Sequence, residues 1–204
     1  MTSGKNKFLL AGLLCCLAGL DSVASATAAN VTPTEDWGVP QLMQTLSQVK
    51  SAQGRFVERK YMRILKAPLE SSGTLNYRPG RLEKNTLLPK AESLVLEQDK
   101  LTLENKAKNQ RRVVVLQDYP LIWAFVESIR STLAGDLATL NRFYQASVQG
   151  NAHQWQLLLV PSEFKMRTVI SEIRIGGSDA WVGTVEIIET NGDHSLMTIT
   201  EGGT

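Results

Sequence analysis

Short runs of strand-forming residues, separated by turn signals at close intervals, dominate this chain and limit the folds open to it. The first signals are Ala67-Pro68, Ser71-Ser72-Gly73, Arg78-Pro79-Gly80, Leu88-Pro89 and Gln98-Asp99-Lys100. Proline, glycine and small polar residues between apolar runs are typical of β-hairpins. No segment between these runs is long enough to form a helical crossover, so neighbouring strands are expected to pair antiparallel.

One longer stretch interrupts this pattern. Asp118 is predicted to cap a helix there, and Pro120 to occupy its first turn. The helix extends to about Ala134, and Gly135-Asp136 separates it from a second, short helix. Its apolar stripe consists of Leu121, Phe125, Ile129 and Leu133, spaced by four. Three polar residues are predicted to lie away from the stripe: Glu127, Arg130 and Ser131.

Strands resume after the helices. Apolar and polar residues alternate from Trp155 to Leu159, and Asn191-Gly192 predicts the last hairpin. A short amphipathic helix is predicted before the strands, from about Pro40 to Val49. About ten antiparallel strands and one pair of helices predict an α+β fold, an incomplete antiparallel barrel or half-barrel with a helical lid. Its concave interior is either filled by the helices or shared with a ligand.

Residues 1–26 have the features of a secretory signal peptide. Lys5 and Lys7 precede an apolar run from Phe8 to Leu20, and small residues follow. This run is shorter than the roughly 20 residues that a membrane-spanning helix needs. We expect cleavage after Ala26, with Ala28 as the alternative. Residues 27–204 would then form a single domain in the periplasm.

Both cysteines, Cys15 and Cys16, lie in the predicted signal peptide. The domain would therefore have no disulfide, thiolate nucleophile or cysteine-bound metal. Lipid attachment to a cysteine is the alternative, but a small residue precedes neither one. The chain has 22 basic and 20 acidic residues, of which two and one precede residue 27, so the domain carries about +1. This charge gives no case for nucleic-acid binding.

Several segments, in this order, resemble the LolA family of periplasmic lipoprotein carriers. They are Gly54 to Glu58, Ser72 to Pro79, Leu94 to Leu103 and Trp155 to Pro161. The resemblance implies an incomplete barrel whose apolar cavity holds the acyl chains of a lipoprotein between the two membranes. It further implies an inner-membrane donor complex and an outer-membrane acceptor, without a cofactor. We expect a monomer.

The resemblance and the apolar stripe together predict a set of ligand-binding residues. They are Phe56, Leu75, Tyr77, Arg78, Leu82, Leu94, Leu96, Leu121, Phe125, Ile129, Leu133 and Trp155. In that family an arginine before the proline of the second hairpin latches the lid, and Arg78 matches that position. Arg81 is the alternative, because the spacing from Gly73 to Pro79 is one residue shorter than in the family.

The cluster of Arg81, Glu83 and Lys84 departs from the carriers and resembles a branch associated with polyene or other fatty-acid-derived envelope lipids. The cargo is therefore expected to be either a lipoprotein or an acylated envelope lipid.

The apolar stripe of the helix after Pro120 also suits the core side of an ordinary helix. Nine basic residues form either solvated strand faces or a cationic rim. They are Arg55, Arg59, Lys60, Arg63, Lys66, Lys106, Lys108, Arg111 and Arg112.

Catalytic and metal-binding motifs are absent from the sequence. His153 and His194 have no partner at a metal-binding spacing and are expected at the surface. We therefore predict a binding protein that is not an enzyme. Two alternatives remain open: a periplasmic sensor or interaction domain of the same fold, and a hydrolase or acyltransferase acting on an envelope lipid.

Overall fold

The structure is a computed structural model that describes residues 37–202. The predicted signal peptide (1–26) and both predicted cleavage sites lie outside the described residues. The helices are α1 (Val39–Ser47), α2 (Pro120–Ala134), α3 (Leu137–Phe143) and α4 (Phe164–Arg167), with 3-10 turns at Lys106–Lys108 and Leu116–Asp118. None of the helices between residues 37 and 202 is long and apolar enough to cross a membrane.

Eleven strands form one antiparallel sheet. The strands are β1 (Ala52–Tyr61), β2 (Leu69–Arg78), β3 (Arg81–Leu88), β4 (Glu92–Glu97), β5 (Lys100–Asn105), β6 (Gln110–Val115), β7 (Tyr144–Asn151), β8 (Gln154–Pro161), β9 (Ile170–Ser178), β10 (Trp181–Glu189) and β11 (His194–Glu201). The predicted meander is confirmed, because nearly every strand pairs with its neighbours in the chain.

The order of the strands explains where the sheet is open. β1 pairs with both β2 and β11, so the first and last strands lie side by side in the middle of the sheet. The two free edges are β6 and β7, and α2 and α3 lie between these two strands in the chain. The insertion of the helices thus coincides with the gap in the sheet. The predicted half-barrel with a helical lid is confirmed.

One face of the sheet packs against the helices, and we call it the inner face. In β8 the side chains of Trp155, Leu157 and Leu159 are buried, whereas Gln154 and Gln156 are exposed. The register extends this face across the sheet, since Phe56 of β1 lies opposite Ile199 and Gly73. Directly opposed residues of adjacent strands point to the same side.

The core consists of two apolar clusters. The first lies between β7–β9 and the helices α1, α3 and α4 and contains Leu42, Met43, Leu46, Leu140, Tyr144, Trp155, Leu157, Leu159, Met166, Ile173 and Ile175. The second lies between β4–β6 and α2 and contains Leu96, Leu101, Val114, Leu116 and Val126. Phe125 packs against both. The helix α2 therefore links the two halves of the core.

The N-terminus of α2 differs from the prediction. Tyr119, not Asp118, is the residue that precedes the helix, and it provides no side-chain hydrogen bond to the first turn. Asp118 lies in the preceding 3-10 turn, one residue too early to cap. The predicted position of Pro120 in the first turn is confirmed. The hydrogen bond from Tyr119 N–H to the Leu116 carbonyl fixes this short 3-10 turn.

Two polar residues of α2 that were predicted to lie away from the apolar stripe, Glu127 and Ser131, are buried, with 3% and 2% of their surface exposed. Glu127 accepts hydrogen bonds from Trp123 Nε1 at 3.2 Å and from Arg130 Nη2 at 2.8 Å. The hydroxyl of Ser131 donates to carbonyls of the preceding turn. The helix α2 contacts α1, α3 and α4, and Val126 packs with the sheet in the second core cluster, so more than one side of α2 is covered.

The end of α2 lies directly against α1. Gly135 has a φ of +66° there, and a Cβ atom on it would lie 2.1 Å from the carbonyl oxygen of Met43. Glycine suits both the left-handed conformation and the close approach of the two backbones. Asp136 then caps α3, accepting a hydrogen bond from Thr139 N at 3.0 Å.

Candidate functional site

The helix α2 covers only part of the inner face of β3–β6. In β4, Leu96 is buried, but Leu94, the next inner residue, is only half-buried. In β5, Leu101 is buried, and Leu103 is 36% exposed. Both partly exposed leucines lie on the same side of the buried pair, because Leu94 is opposite Leu103 and Leu96 opposite Leu101. The apolar surface therefore continues beyond the end of the helical cover.

This uncovered part of the inner face is a groove of about 610 Å³. We call it the inner groove. Its volume lies within the roughly 300–1,000 Å³ range of ligand pockets. Leu94 and Leu103 are its apolar lining residues. The other lining residues are polar or charged: Lys84, Thr86, Glu92, Ser93, Glu104, Asn105, Lys108, Gln110, Arg111 and Arg112.

An ion pair lies at the side of the groove that faces β1. Lys84 Nζ is 2.5 Å from Glu58 Oε2, and these side chains are 23% and 22% exposed. The ammonium group also lies 4.8 Å from the centre of the Phe56 ring. Ser71 Oγ donates a hydrogen bond of 3.5 Å to the same carboxylate. A paired cation is thus held at the border of the groove.

The predicted cluster of Arg81, Glu83 and Lys84 is divided between the two faces of the sheet. Arg81 and Glu83 are on the opposite face from Lys84, because successive residues of a strand alternate. Arg81 lies 3.3 Å from Glu83 and 3.1 Å from Glu97. The hydrogen bond from Asn85, followed by that from Arg81, lowers the pKa of Glu83. Of these three residues, only Lys84 lines the inner groove.

The predicted ligand-binding residues occupy different parts of the molecule. Leu94 lines the groove, and Phe56 lies beneath Lys84 beside it. Leu82 and Leu96 belong to the second core cluster below α2. Trp155 belongs to the first cluster, in the other half of the sheet. Tyr77 is buried, and burial raises its pKa.

The predicted residues of α2 and β2 are placed as follows. Phe125 and Ile129 pack against the first core cluster, and Leu133 is half-buried. The side chain of Leu121 lies outside the described part of the structure. Leu75 is half-buried and lies opposite Lys84 on β3. Arg78 is 66% exposed and lies 3.9 Å from Glu97, at the far end of β2 from the groove.

Glu58, Lys84, Leu103 and Arg112 are not among the predicted ligand-binding residues, although Arg112 is one of the nine basic residues of the predicted cationic rim. The alternation of Leu101 and Leu103 in β5 is a sequence signal for Leu103. No comparable local signal exists for Glu58, because it meets Lys84 only through the register of β1, β2 and β3.

The two histidines lie away from the groove. His153 Nδ1 is 2.9 Å from Asp179 in an exposed pair, and the His194 ring stacks on Tyr61 with centres 4.5 Å apart. Between residues 37 and 202, no group of three or more histidine, cysteine or acidic residues is arranged to hold a metal ion.

Comparison with known proteins identifies the family. Residues 30–203 match the outer membrane lipoprotein carrier protein LolA-like family. The chain belongs to the LolA-like family. The match includes all of the described helices and strands, and it confirms the resemblance seen in the sequence. No curated protein sequence matches this LolA-like chain.

Solved structures resemble the LolA-like chain at low sequence identity. A LolA superfamily protein from Nitrosomonas europaea aligns over 81% of this chain and 92% of its own, with 8% identity and a TM-score of 0.41. A chain of the MucA/MucB complex of Pseudomonas aeruginosa aligns over 80% of this chain and 56% of its own length, with 12% identity and a TM-score of 0.48. LprF from Mycobacterium bovis aligns over 79% of this chain and 91% of its own length, with 12% identity and a TM-score of 0.35.

Proposed function

We propose that this LolA-like protein is a periplasmic carrier that binds acyl chains in the inner groove. The cargo is a lipoprotein or an acylated envelope lipid, received from an inner-membrane donor and passed to an outer-membrane acceptor. The observation that carries the proposal is the continuation of the apolar inner face, at Leu94 and Leu103, beyond the cover of α2. Family membership supports the same function.

An acyl chain fits the chemistry of this surface. Burial of apolar area contributes about 25 cal/mol per Å², or about 0.8 kcal/mol for each methylene group. A chain lying along Leu94 and Leu103 would therefore bind without a specific polar contact. Arg112 and Lys108 of the lining suit an anionic headgroup or a carbonyl next to the chain, although Glu92 and Glu104 also line the groove and Lys84 is paired with Glu58.

Movement of α2 would enlarge the groove. The second core cluster contributes Leu96, Leu101 and Val114 from the sheet, and all three line the face that α2 covers. At the end of β4, Arg130 Nη1 donates a hydrogen bond of 3.0 Å to the carbonyl oxygen of Gln98. We propose that α2 acts as a lid, that Arg78 latches it, and that Arg130 provides a second contact with the sheet.

Displacement of a fluorescent fatty acid tests the site directly. Leu94→Gln with Leu103→Gln should weaken binding by at least about tenfold, because two apolar contacts are lost. The control is Val113→Gln, since Val113 is 51% exposed and lies opposite Thr102 rather than an inner residue. Equal affinity of the groove variant and the wild type would place the ligand elsewhere.

Native mass spectrometry of the purified protein, followed by lipid extraction, tests the cargo. We expect acyl species to co-purify with the wild type and to decrease in the groove variant. Absence of any bound acyl species from both, together with no binding of added fatty acid, would contradict the carrier function. Turnover of a bound lipid would instead indicate an enzyme.

A further inference from the structure

Exposed apolar side chains concentrate at one end of the sheet. The turns β1–β2 (62–68), β3–β4 (89–91), β8–β9 (162–169) and β10–β11 (190–193) all lie at this end, because the strands are antiparallel. We call these turns, with the strand residues next to them, the upper rim. Ile64, Phe164 and Leu88 of the upper rim are 85%, 72% and 64% exposed. Other exposed apolar residues of the upper rim are Tyr61, Leu65, Leu69, Leu87 and Val169.

Hydrogen bonds join three of the four turns of the upper rim. Arg63 N donates to Asp193 Oδ1 at 2.9 Å, and Arg63 Nη1 donates to the Asn191 carbonyl at 3.0 Å. These bonds connect the β1–β2 and β10–β11 turns. Thr190 N donates to the Val169 carbonyl at 3.0 Å and extends the connection to the β8–β9 segment. Ile64 and Phe164 therefore belong to connected turns, and Leu88 lies at the same end of the sheet.

The four turns of the upper rim are basic. They contain Arg63, Lys66, Lys90, Lys165 and Arg167, against Glu163 and Asp193, and the strand residues next to them add Lys60, Glu70, Glu92 and Glu189. The turns at the opposite end are 79–80, 98–99, 152–153 and 179–180, and we call them the lower rim. The four turns of the lower rim contain Asp99 and Asp179, and the strand residues next to them include Arg78, Arg81 and Lys100. None of the exposed large apolar side chains of residues 37–202 belongs to these turns, so apolar surface rather than charge distinguishes the two ends of the sheet.

Apolar side chains on separate loop tips, with cations between them, fit the interface of an anionic bilayer. The apolar groups enter the boundary between headgroups and acyl chains, while lysine and arginine contact the lipid phosphates. A protein partner would more typically bury a larger and flatter patch. We infer that the upper rim docks on an anionic membrane surface, with Ile64, Leu88 and Phe164 entering the headgroup region.

This docking goes beyond cargo binding, and the position of the groove agrees with it. The groove residues Thr86, Asn105 and Arg112 lie in the halves of β3, β5 and β6 that are nearer to the upper rim. A protein docked through the upper rim would hold the inner groove near the bilayer. An acyl chain could then move between membrane and groove over a short distance.

Flotation with vesicles tests the inference. One set of vesicles contains phosphatidylcholine alone, and the other contains about 30% phosphatidylglycerol as the anionic lipid. The full chain should float only with anionic vesicles, and a rise from about 0.05 M to about 0.5 M NaCl should weaken the binding through screening. Equal flotation with both sets, or none with either, would overturn the inference, and the second outcome would favour an acidic protein partner.

Two groups of substitutions separate the apolar and the basic contributions. Ile64→Ser with Leu88→Ser and Phe164→Ser should reduce flotation at least about fivefold, and Lys66→Ser with Lys90→Ser and Lys165→Ser should do the same. Val113→Ser, an exposed apolar residue away from the upper rim, is the control and should float normally. Unchanged flotation of both rim variants would overturn the inference.

A single tryptophan substitution provides a second measurement. The fluorescence of Ile64→Trp should shift to shorter wavelength with anionic vesicles relative to the wild type, whereas Val113→Trp should not shift. The groove variant Leu94→Gln with Leu103→Gln should float like the wild type, and the rim variants should retain fatty-acid binding. Loss of flotation in the groove variant would show that vesicles bind through the groove, which would also overturn the inference.

Discussion

Lys84 and Glu58 form an ion pair on the inner face of the sheet, with Lys84 Nζ 2.5 Å from Glu58 Oε2 and above the Phe56 ring. The two strands that carry them are separated by β2, so the pair depends on the register of three strands. It closes the inner groove on the side of β1. The pair therefore connects the stability of the sheet with the shape of the groove.

Replacing one partner of this pair should destabilise the protein. Lys84→Met leaves the Glu58 carboxylate half-buried without its cation and should lower the free energy of unfolding by about 1–3 kcal/mol. Glu58→Gln in the same chain should recover part of this loss, which urea denaturation of the single and double variants would measure. Strictly additive effects would show that the two side chains do not interact.

The contact between α2 and α1 makes Gly135 difficult to replace. Gly135→Ala places a methyl group 2.1 Å from the Met43 carbonyl oxygen and imposes a φ of +66° on alanine. The matched control is Gly80→Ala, because Gly80 has a φ of +80° and nothing near its Cβ position. We expect Gly80→Ala to cost about 1 kcal/mol and Gly135→Ala clearly more in thermal unfolding. Equal losses would mean that α1 moves away freely.

The cap of α3 should make stability depend on pH at the acidic end. The hydrogen bond from Thr139 lowers the pKa of Asp136 in the folded state. The contribution of this hydrogen bond to the free energy of unfolding is therefore present above the ordinary pKa of aspartate, and it is lost as the pH falls through the lowered pKa of Asp136. Asp136→Ala should cost about 1 kcal/mol at pH 7 and progressively less below about pH 4.

Asp118→Ala is the matched control for this cap. Asp118 lies in the 3-10 turn and does not cap α2. Its replacement should change the free energy of unfolding by less than about 0.5 kcal/mol at either pH. A loss as large as that of Asp136→Ala would restore the capping role that the sequence predicted.

Tyr144 should make the protein sensitive to alkali. Burial raises the pKa of Tyr144 to about 12. The folded state favours the uncharged phenol of Tyr144. Its contribution to the free energy of unfolding is therefore complete below the ordinary tyrosine pKa of about 10 and is lost as the pH rises toward 12. Tyr144→Phe should remove about 2–3 kcal/mol of this alkaline destabilisation, which urea titrations between pH 9 and pH 12 would show. Parallel pH profiles of the two proteins would contradict it.

The proposed latch can be separated from a structural role. Arg78 is 66% exposed, so Arg78→Leu should change the free energy of unfolding by less than about 0.5 kcal/mol. It should nevertheless alter the release of a bound fluorescent fatty acid to acceptor vesicles. Arg130→Leu removes a partner of the buried Glu127 and should lower stability as well as alter release. Equal loss of stability and of transfer in Arg78→Leu would count against the latch.

Local patterns in the sequence predicted most of the secondary structure. Turn signals such as Arg78-Pro79-Gly80 separate observed strands, and the alternation from Trp155 to Leu159 matches the buried and exposed sides of β8. The four-residue spacing of Phe125 and Ile129 predicted the side of α2 that meets the first core cluster. These features depend on interactions within a few residues, and such interactions are visible in sequence.

Contacts between distant segments explain what the sequence missed. Glu127 lies away from the apolar stripe of α2, but it is buried, and Trp123 and Arg130 satisfy its carboxylate. Asp118 has a favourable side chain for capping, but the hydrogen bond from Tyr119 to Leu116 shifts the start of α2 by one residue.

The sequence by itself determined an antiparallel meander with one helical interruption, because hairpin turns and residue periodicity are local properties. Only the tertiary structure decided that β1 pairs with β11, that the gap lies between β6 and β7, and that Leu94 stays half-buried and Leu103 36% exposed beside the residues that α2 covers. It also placed Lys84 beside Glu58. The physical reason is that strand register and the extent of helical cover depend on packing between residues that are far apart in the chain.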